Sequence, residues 1–261
     1  MRTFGRMRFH VPHSALRAGS FPGVHERNRR FDIGVSPVYF KHILRKGARM
    51  RKIIMFDLDG TLIDSSGGIA NSVNVTRRQF GFAPLPEETV KAFTGDGARK
   101  LLERSLADVT CPCPMDEAVK IMVANYAADP LCRTRLYPGV AEGLRQLADA
   151  GFLLAVVSNK PQEVGEKILA GLGVKPLLCD NIGGGVFPLK PAPDAFLHVL
   201  EKHAVSSANA WIAGDNHTDI DAAAAAGVRS IFCAWGFGTL GSSVPTFRAE
   251  TFSDLVRLVL A

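Results

Sequence analysis

The stretch FDLDGTLID, residues 56–64, directly follows the apolar run Ile53-Ile54-Met55. In an extended chain, residues i and i+2 point to the same side. Asp57 and Asp59 therefore bring two carboxylates together at the end of an apolar strand, with Leu58 turned away. Neighbouring carboxylates disfavour double ionisation unless something positive intervenes. The rest of the chain has to supply that positive group, or the pair is an expensive accident.

From Arg51 onward, short apolar runs alternate with helical patterns, which predicts a parallel α/β sheet. Candidate strands are Lys52–Phe56, Phe152–Val157, Ala210–Ala213 and Ser230–Cys233, with a weaker one near Leu177–Cys179. Helical patterns cover Gly139–Ala150, Gln162–Leu172, Ala192–His203 and Thr218–Ala226. Gly151, Gly173 and Gly227 stand just past helix ends, where a left-handed cap favours glycine. Between Ser65 and Tyr137 there is no convincing strand pattern. That section carries amphipathic stripes instead: Ile69, Val73, Thr76 and Phe80; Leu101, Leu102 and Leu106; Ile121, Met122 and Tyr126. The expected fold is a Rossmann-like parallel core, residues 51–64 and 137–261, with an all-helical cap inserted over residues 65–136. Its connections, Asp64–Gly68 and Asp129–Gly139, are candidate hinges.

A chain of 261 residues has room for one sizeable core and a subdomain. Hydrophobic content of 47% with 21% charged residues is ordinary for a globular protein. No apolar run approaches the ~18 residues of a membrane helix. Five cysteines without a CxxC pair argue against a disulfide framework or a zinc site. Cys111-Pro-Cys113 reads as two small thiols in a reducing cytoplasm, the expected location. The net charge of +6 is unevenly spread: residues 1–49 carry eleven Lys or Arg against Glu26 and Asp32. The remainder is mildly acidic, which removes the compositional argument for nucleic-acid binding. Residues 1–50 are Arg-rich and suggest a targeting peptide, but they hold no clean amphipathic helix. A basic, disordered extension is the expectation, with Met50 a natural beginning for the first strand.

In an open parallel sheet, ligands bind outside the carboxyl ends of the strands. Four polar clusters stand at such ends. They are Asp57–Thr61; Ser158-Asn159-Lys160 after FLLAVV; Lys190-Pro191 at the entry to Ala192–His203; and Gly214-Asp215-Asn216-His217-Thr218-Asp219 after AWIA. Each alone has a structural reading as a turn, a helix cap or a first helical turn. Their joint placement at successive strand ends outweighs those readings. A hard dication such as Mg²⁺ takes oxygen ligands, and Asp215 from another strand end would complete a nest with Asp57 and Asp59. His217 reads as a loop residue, His198 and His203 as helix-surface residues, and Trp235 and Phe237 as core or pocket edge. Gly95-Asp96-Gly97 reads as a tight turn facing a substrate. Arg99, Lys100 and Arg104 are cations beside it, which a solvated helix face explains equally well.

This set of motifs resembles the haloacid dehalogenase-like hydrolases, a superfamily of mostly magnesium-dependent phosphatases. The DxDGT run at 57–61, SNK at 158–160, KP at 190–191 and GDNHTD at 214–219 stand in that family's order, and the resemblance covers Arg51 to the C-terminus. FTGDGARKLLERSL at 93–106, LYPGV at 136–140, SNKP at 158–161, GGGVFPLKPAPDAF at 183–196 and AWGFG at 234–238 are similar to phosphoglycolate phosphatases. Phosphatases of other small phosphomonoesters or of pyrophosphate share many of these features.

The resemblance implies that Asp57 is a nucleophile forming an aspartyl-phosphate, with Asp59 as general acid and then general base. It implies Mg²⁺ on Asp57, on the backbone carbonyl of Asp59 and on Asp215, with Asp219 in support. Ser158, the Asn159 amide and Lys190 would hold the phosphate; Gly60 would allow close backbone approach, and Thr61 would hold the turn. Asn216 departs from the family's commonest pattern, which has a small hydroxyl residue there. The expected partner is a small phosphorylated metabolite resembling 2-phosphoglycolate, with no nucleic acid and no membrane; the oligomeric state is open. The rivals are a phosphomutase or pyrophosphatase of the same superfamily and a non-catalytic binding protein. The last would normally have lost a nucleophile or ligand, and Asp57, Asp59, Lys190 and Asp215 are all present. A dehalogenase needs neither Asp59 nor the metal site.

Overall fold

The computed structural model describes residues 51–261, so the extension expected over 1–50 lies outside the described residues. Strands β1 (Lys52–Phe56) and β2 (Ile63–Asp64) come first. A helical block follows: α1 (Ser66–Gln79), α2 (Glu87–Lys91), α3 (Gly97–Ser105) and α4 (Met115–Ala128), closed by β3 (Arg135–Leu136). Then come α5 (Val140–Asp149), β4 (Phe152–Pro161), α6 (Gln162–Gly171), β5 (Asp180–Gly184) and α7 (Asp194–His203). The chain ends with β6 (Ala210–Gly214), α8 (His217–Ala225), β7 (Arg229–Cys233), β8 (Phe247–Ala249) and α9 (Phe252–Leu260).

Six strands form one parallel sheet in the order β5-β4-β1-β6-β7-β8. Met55 of β1 is in register with Ala155 of β4 on one side and Ile212 of β6 on the other. The strand order reverses at β1, which opens a crevice at the carboxyl ends of β1, β4 and β6. Successive residues of β1 face opposite layers. Ile54 and Phe56 pack with Leu144, Ile168 and Phe252 from α5, α6 and α9. Ile53 and Met55 pack with Phe196 of α7 and Ala222 of α8. Burial on both faces explains why β1 reads as a continuous apolar run rather than an alternating one.

The helical block uses most of the stripes expected of it: Val73, Leu102, Leu106, Met122 and Tyr126 are buried and join the same apolar cluster as Ile54 and Phe56, whereas Ile121 is half-buried and outside it. Within the block, Arg77 is buried and donates to both Asp108 carboxylate oxygens at 2.8 Å, to Ala83 O at 2.6 Å and to Ser105 O. The two connections pair with each other. Ile63 and Asp64 align antiparallel with Leu136 and Arg135, and Arg135 bridges Asp64 at 2.8 Å. A two-residue strand between Ser65 and Tyr137 corrects the expectation of none; Arg135 pairs with Asp64 across 71 positions, so no local pattern marks it.

Other boundaries also move. The weak strand near Leu177–Cys179 lies at Asp180–Gly184 instead, and Lys175–Leu177 is a 3₁₀ turn. Its sequence, Asp-Asn-Ile-Gly-Gly, is poor in strand formers because β5 is an edge strand. Helix α7 begins at Asp194, so Lys190-Pro191 sits in the preceding loop and not in the first turn. Gly151, Gly173 and Gly227 adopt φ of 86°, 72° and 65°, as their positions past helix ends require.

Candidate active site

Asp57 continues β1 past its last residue, donating its backbone N–H to Ala213 O at 2.8 Å. The chain then turns about one carbonyl: Leu58 O accepts from the N–H groups of Thr61, Leu62 and Ile63 at 3.3, 3.0 and 3.1 Å. Gly60 takes φ of 79° in that turn, and a Cβ there would overlap the Asp215 carboxylate. Glycine is needed on both counts. The main chain, rather than the Thr61 hydroxyl, holds the turn: that hydroxyl is buried beside the Cys233 thiol and bonds no backbone group of the turn. Thr61 O accepts from Trp235 Nε1 at 3.0 Å.

Lys190 reaches into the strand ends from the loop before α7. Its Nζ lies 2.8 Å from Asp57 Oδ1 and 2.6 Å from Asp219 Oδ1, and donates to Val157 O at 3.0 Å. Burial alone would lower the pKa of this ammonium, but Asp219 and Asp57 outweigh it and hold the pKa above the ordinary value. Asp219 also completes a capping box on α8: the Asn216 side chain accepts from Thr218 N, and the Asp219 carboxylate accepts from Asn216 N. Burial pushes the pKa of Asp219 up to about 6, despite the opposing pull of Lys190.

Asp215 directly follows β6 and is anchored by one oxygen, which accepts from Phe237 N at 3.0 Å and Gly238 N at 2.7 Å. Burial, then the charges of Asp57 and Asp219, raise its pKa well above the usual carboxylate range. One oxygen from each of Asp57, Asp215 and Asp219 lies within 4.8 Å of the others. Asp57 Oδ1 is buried, and although Lys190 is near, no donor meets it with hydrogen-bond geometry. Three hard oxygen donors, an unsatisfied one among them, and one ammonium for three acids together suit a small dication.

Asp59 points away from that group. Its carboxylate accepts from Lys160 Nζ at 2.9 and 3.1 Å and from Ser65 Oγ at 2.5 Å. Lys160 Nζ also donates to the Tyr126 hydroxyl at 2.8 Å, from α4 of the helical block. The side-chain carboxylates of Asp57 and Asp59 thus do not share one counter-charge, as their spacing suggests; each has its own ammonium. Lys160 was legible only as part of the SNK run, and Tyr126 only as a core position. The available signal was a lysine directly after the apolar run FLLAVV and two polar residues.

The SNK run is itself within β4, which extends to Pro161, and neither Ser158 nor Asn159 caps α6. Ser158 Oγ accepts from Lys160 N at 3.3 Å. The Asn159 side chain clamps two loops: its Nδ2 donates to Gly95 O and Lys190 O, both at 3.1 Å, and its Oδ1 accepts from Lys190 N at 2.8 Å.

Asp57, Asp59, Asp215 and the SNK run line a cleft of about 720 Å³, counting its open mouth; Lys190 and Asp219 lie behind its wall. Asp57, Asp59, Ser158, Lys160 and Asp215 form its polar wall; Ile69, Leu101, Met122 and Val123 form an apolar one. Gly95 and Gly97 line it, while Asp96 turns to Arg104 at 2.6 Å. Arg99 pairs with Asp116 and Glu103, and Lys100 with Glu103, so these cations do not line the cleft. His217 opens α8 outside the carboxylate cluster. Chemically, the cleft offers a carboxylate backed by an ammonium and, within the same wall, a second carboxylate.

The model of the haloacid dehalogenase-like hydrolases matches residues 54–233. A phosphoglycolate phosphatase of Aquifex aeolicus (strain VF5) is 36% identical over 209 residues, covering 80% of this chain and 96% of the relative. One from Vibrio parahaemolyticus serotype O3:K6 (strain RIMD 2210633) is 34% identical over 218 residues, with the same coverage of 80% and 96%. The crystal structure of a predicted phosphoglycolate phosphatase from Haemophilus somnus 129pt superposes with a TM-score of 0.74 at 28% identity, over 81% of this chain and 99% of that one. This chain therefore belongs to the haloacid dehalogenase-like hydrolase family, and within it resembles the phosphoglycolate phosphatases.

Proposed function

We propose that this chain is a Mg²⁺-dependent phosphomonoesterase that acts on a small phosphorylated metabolite, of which 2-phosphoglycolate is the leading candidate. The observation that carries the reading is the Asp57 carboxylate: buried at a strand end, 2.8 Å from Lys190 and clustered with Asp215 and Asp219, with Asp59 in the same cleft.

In this reading an oxygen of Asp57 attacks phosphorus as the bond to the leaving oxygen breaks, leaving an aspartyl-phosphate. Asp59 gives its proton to the departing alkoxide, then takes a proton from the water that attacks the phosphoenzyme. Inorganic phosphate leaves and Asp57 is restored. Such proton transfers contribute ~10²–10⁴-fold, and covalent catalysis replaces one hard displacement by two easier ones. Lys190, the Ser158 hydroxyl and the Asn159 backbone amide hold the phosphoryl oxygens, and Gly60 admits close backbone approach. Asp57, Asp215 and the Asp59 carbonyl would hold the Mg²⁺, with Asp219 behind them; the ion would neutralise charge on the transferring group.

Residues 65–136 act as a cap over the core formed by 51–64 and 137–261, moving about the paired strands β2 and β3. The substrate assignment is supported by the names of the relatives. A cytoplasmic site of action goes with that substrate; among the described residues no helix is long and apolar enough to cross a membrane.

A panel of 2-phosphoglycolate, other phosphomonoesters, sugar phosphates and pyrophosphate, assayed with Mg²⁺ and with EDTA, tests the proposal. Mg²⁺-dependent release of phosphate, fastest from 2-phosphoglycolate, is the expected result. Isomerised sugar phosphate without net phosphate release would point to a mutase, and preferred cleavage of pyrophosphate to a pyrophosphatase. Turnover insensitive to EDTA would overturn the metal assignment.

A further inference from the structure

We infer that Lys160 and Tyr126 are positioning residues for Asp59, so that the proton-transfer group of the core is held in place by a side chain of the helical block. The inference rests on the phosphatase reading of the cleft and adds to it the groups that hold its acid.

Lys160 sits at the end of β4 with its side chain 2% exposed, and its ammonium bridges both oxygens of Asp59 at 2.9 and 3.1 Å. The same ammonium donates to the Tyr126 hydroxyl at 2.8 Å and lies 4.1 Å from the Tyr126 ring centroid. Ser65, at the start of the connection into the block, donates to Asp59 Oδ1 at 2.5 Å. An ammonium has three donors, and these contacts occupy them within the protein. Lys160 therefore has no donor to spare for substrate. Its contacts fix the torsion of the Asp59 side chain and aim it into the cleft that both residues line. Proximity and orientation of this kind govern proton transfer steeply. Because Tyr126 belongs to α4, a helical block lifted from the core withdraws one of the contacts that fix Lys160, and with it the aim of Asp59.

Leaving groups provide the test. An alkyl phosphate needs a proton on its departing oxygen, whereas p-nitrophenolate leaves unassisted. The kcat/KM reports steps only up to departure of the leaving group, so hydrolysis of the phosphoenzyme does not enter it. Lys160→Met and Tyr126→Phe are compared with wild type on 2-phosphoglycolate, ethyl phosphate and p-nitrophenyl phosphate, all with Mg²⁺. For Lys160→Met the expected result is a loss of about tenfold or more on both alkyl phosphates. The loss on p-nitrophenyl phosphate should be several times smaller. Tyr126→Phe should show the same pattern more weakly, and Lys160→Arg should recover part of the loss.

Equal losses on all three substrates would overturn the inference, since they mark a merely structural role. A loss confined to 2-phosphoglycolate would also overturn it, because Lys160 would then be a receptor for the substrate carboxylate. If Lys160→Met does not fold, Tyr126→Phe decides by the same ratio. Failure of the phosphatase reading is separately visible: wild type would then release no phosphate from any of the three.

Discussion

Lys190 Nζ lies 2.8 Å from Asp57 Oδ1, deep enough that only 3% of the lysine side chain is exposed. The same ammonium lies 2.6 Å from Asp219, and Asp215 completes a group of three carboxylates. The charge balance of this group, rather than any single hydrogen bond, sets what substitutions here should do.

Lys190→Met removes the ammonium and leaves the acids facing one another. Removing one partner of a buried ion pair typically costs about 3–5 kcal/mol. Calorimetric unfolding in EDTA should show a loss of that order, and saturating Mg²⁺ should recover part of it. An unchanged unfolding temperature in EDTA would contradict the charge balance described.

Asp215→Asn should act in the opposite direction. Asparagine keeps an oxygen for the Phe237 and Gly238 amides but removes a carboxylate that is costly to ionise where it lies. Without metal, the variant should be at least as stable as wild type. With Mg²⁺ at a hundred times its Kd, wild type should gain about 2.7 kcal/mol and the variant far less. A variant that keeps the full metal-induced shift would remove Asp215 from the ligand set.

Gly60→Ala tests the turn. The residue has φ of 79°, and an added Cβ would overlap Asp215. Destabilisation beyond about 1 kcal/mol is expected where alanine meets a positive φ, together with weaker Mg²⁺ binding by titration calorimetry. Wild-type metal affinity in this variant would show that the close approach of Gly60 to Asp215 is dispensable.

The cations beside the cap turn should matter little. Arg99, Lys100 and Arg104 are occupied by Asp116, Glu103 and Asp96 on the block's surface. Alanine at any one should change KM for 2-phosphoglycolate by less than about fivefold, in line with exposed pairs elsewhere. A larger rise for one of them would identify it as a substrate contact reached on closure.

Much of this is legible in the sequence. β1 declared itself because burial on both faces demands an unbroken apolar run, and the polar residues after β1, β4 and β6 marked the strand ends that converge. What local pattern could not show were pairings over long separations. β3 exists through Ile63 and Asp64, and Lys160 acquires its partners from residues 101 and 34 positions away. β8 and α9 have no counterpart among the expected elements, although Thr251 and Asp254 form a capping box that marks a helix start. Asn216 illustrates a different limit: it looked like a departure from the family's pattern, yet as the N-cap of α8 it does a job that asparagine does well.

The most direct measurement is chemical trapping of the phosphoenzyme. Wild type turning over 2-phosphoglycolate with Mg²⁺ is quenched with borohydride, which reduces an acyl phosphate to the alcohol. Peptide mass spectrometry should then find homoserine in place of aspartate at position 57, dependent on both substrate and metal, and absent from Asp57→Asn. Reduction at Asp59, Asp215 or Asp219 instead, or turnover retained by Asp57→Asn, would contradict the account.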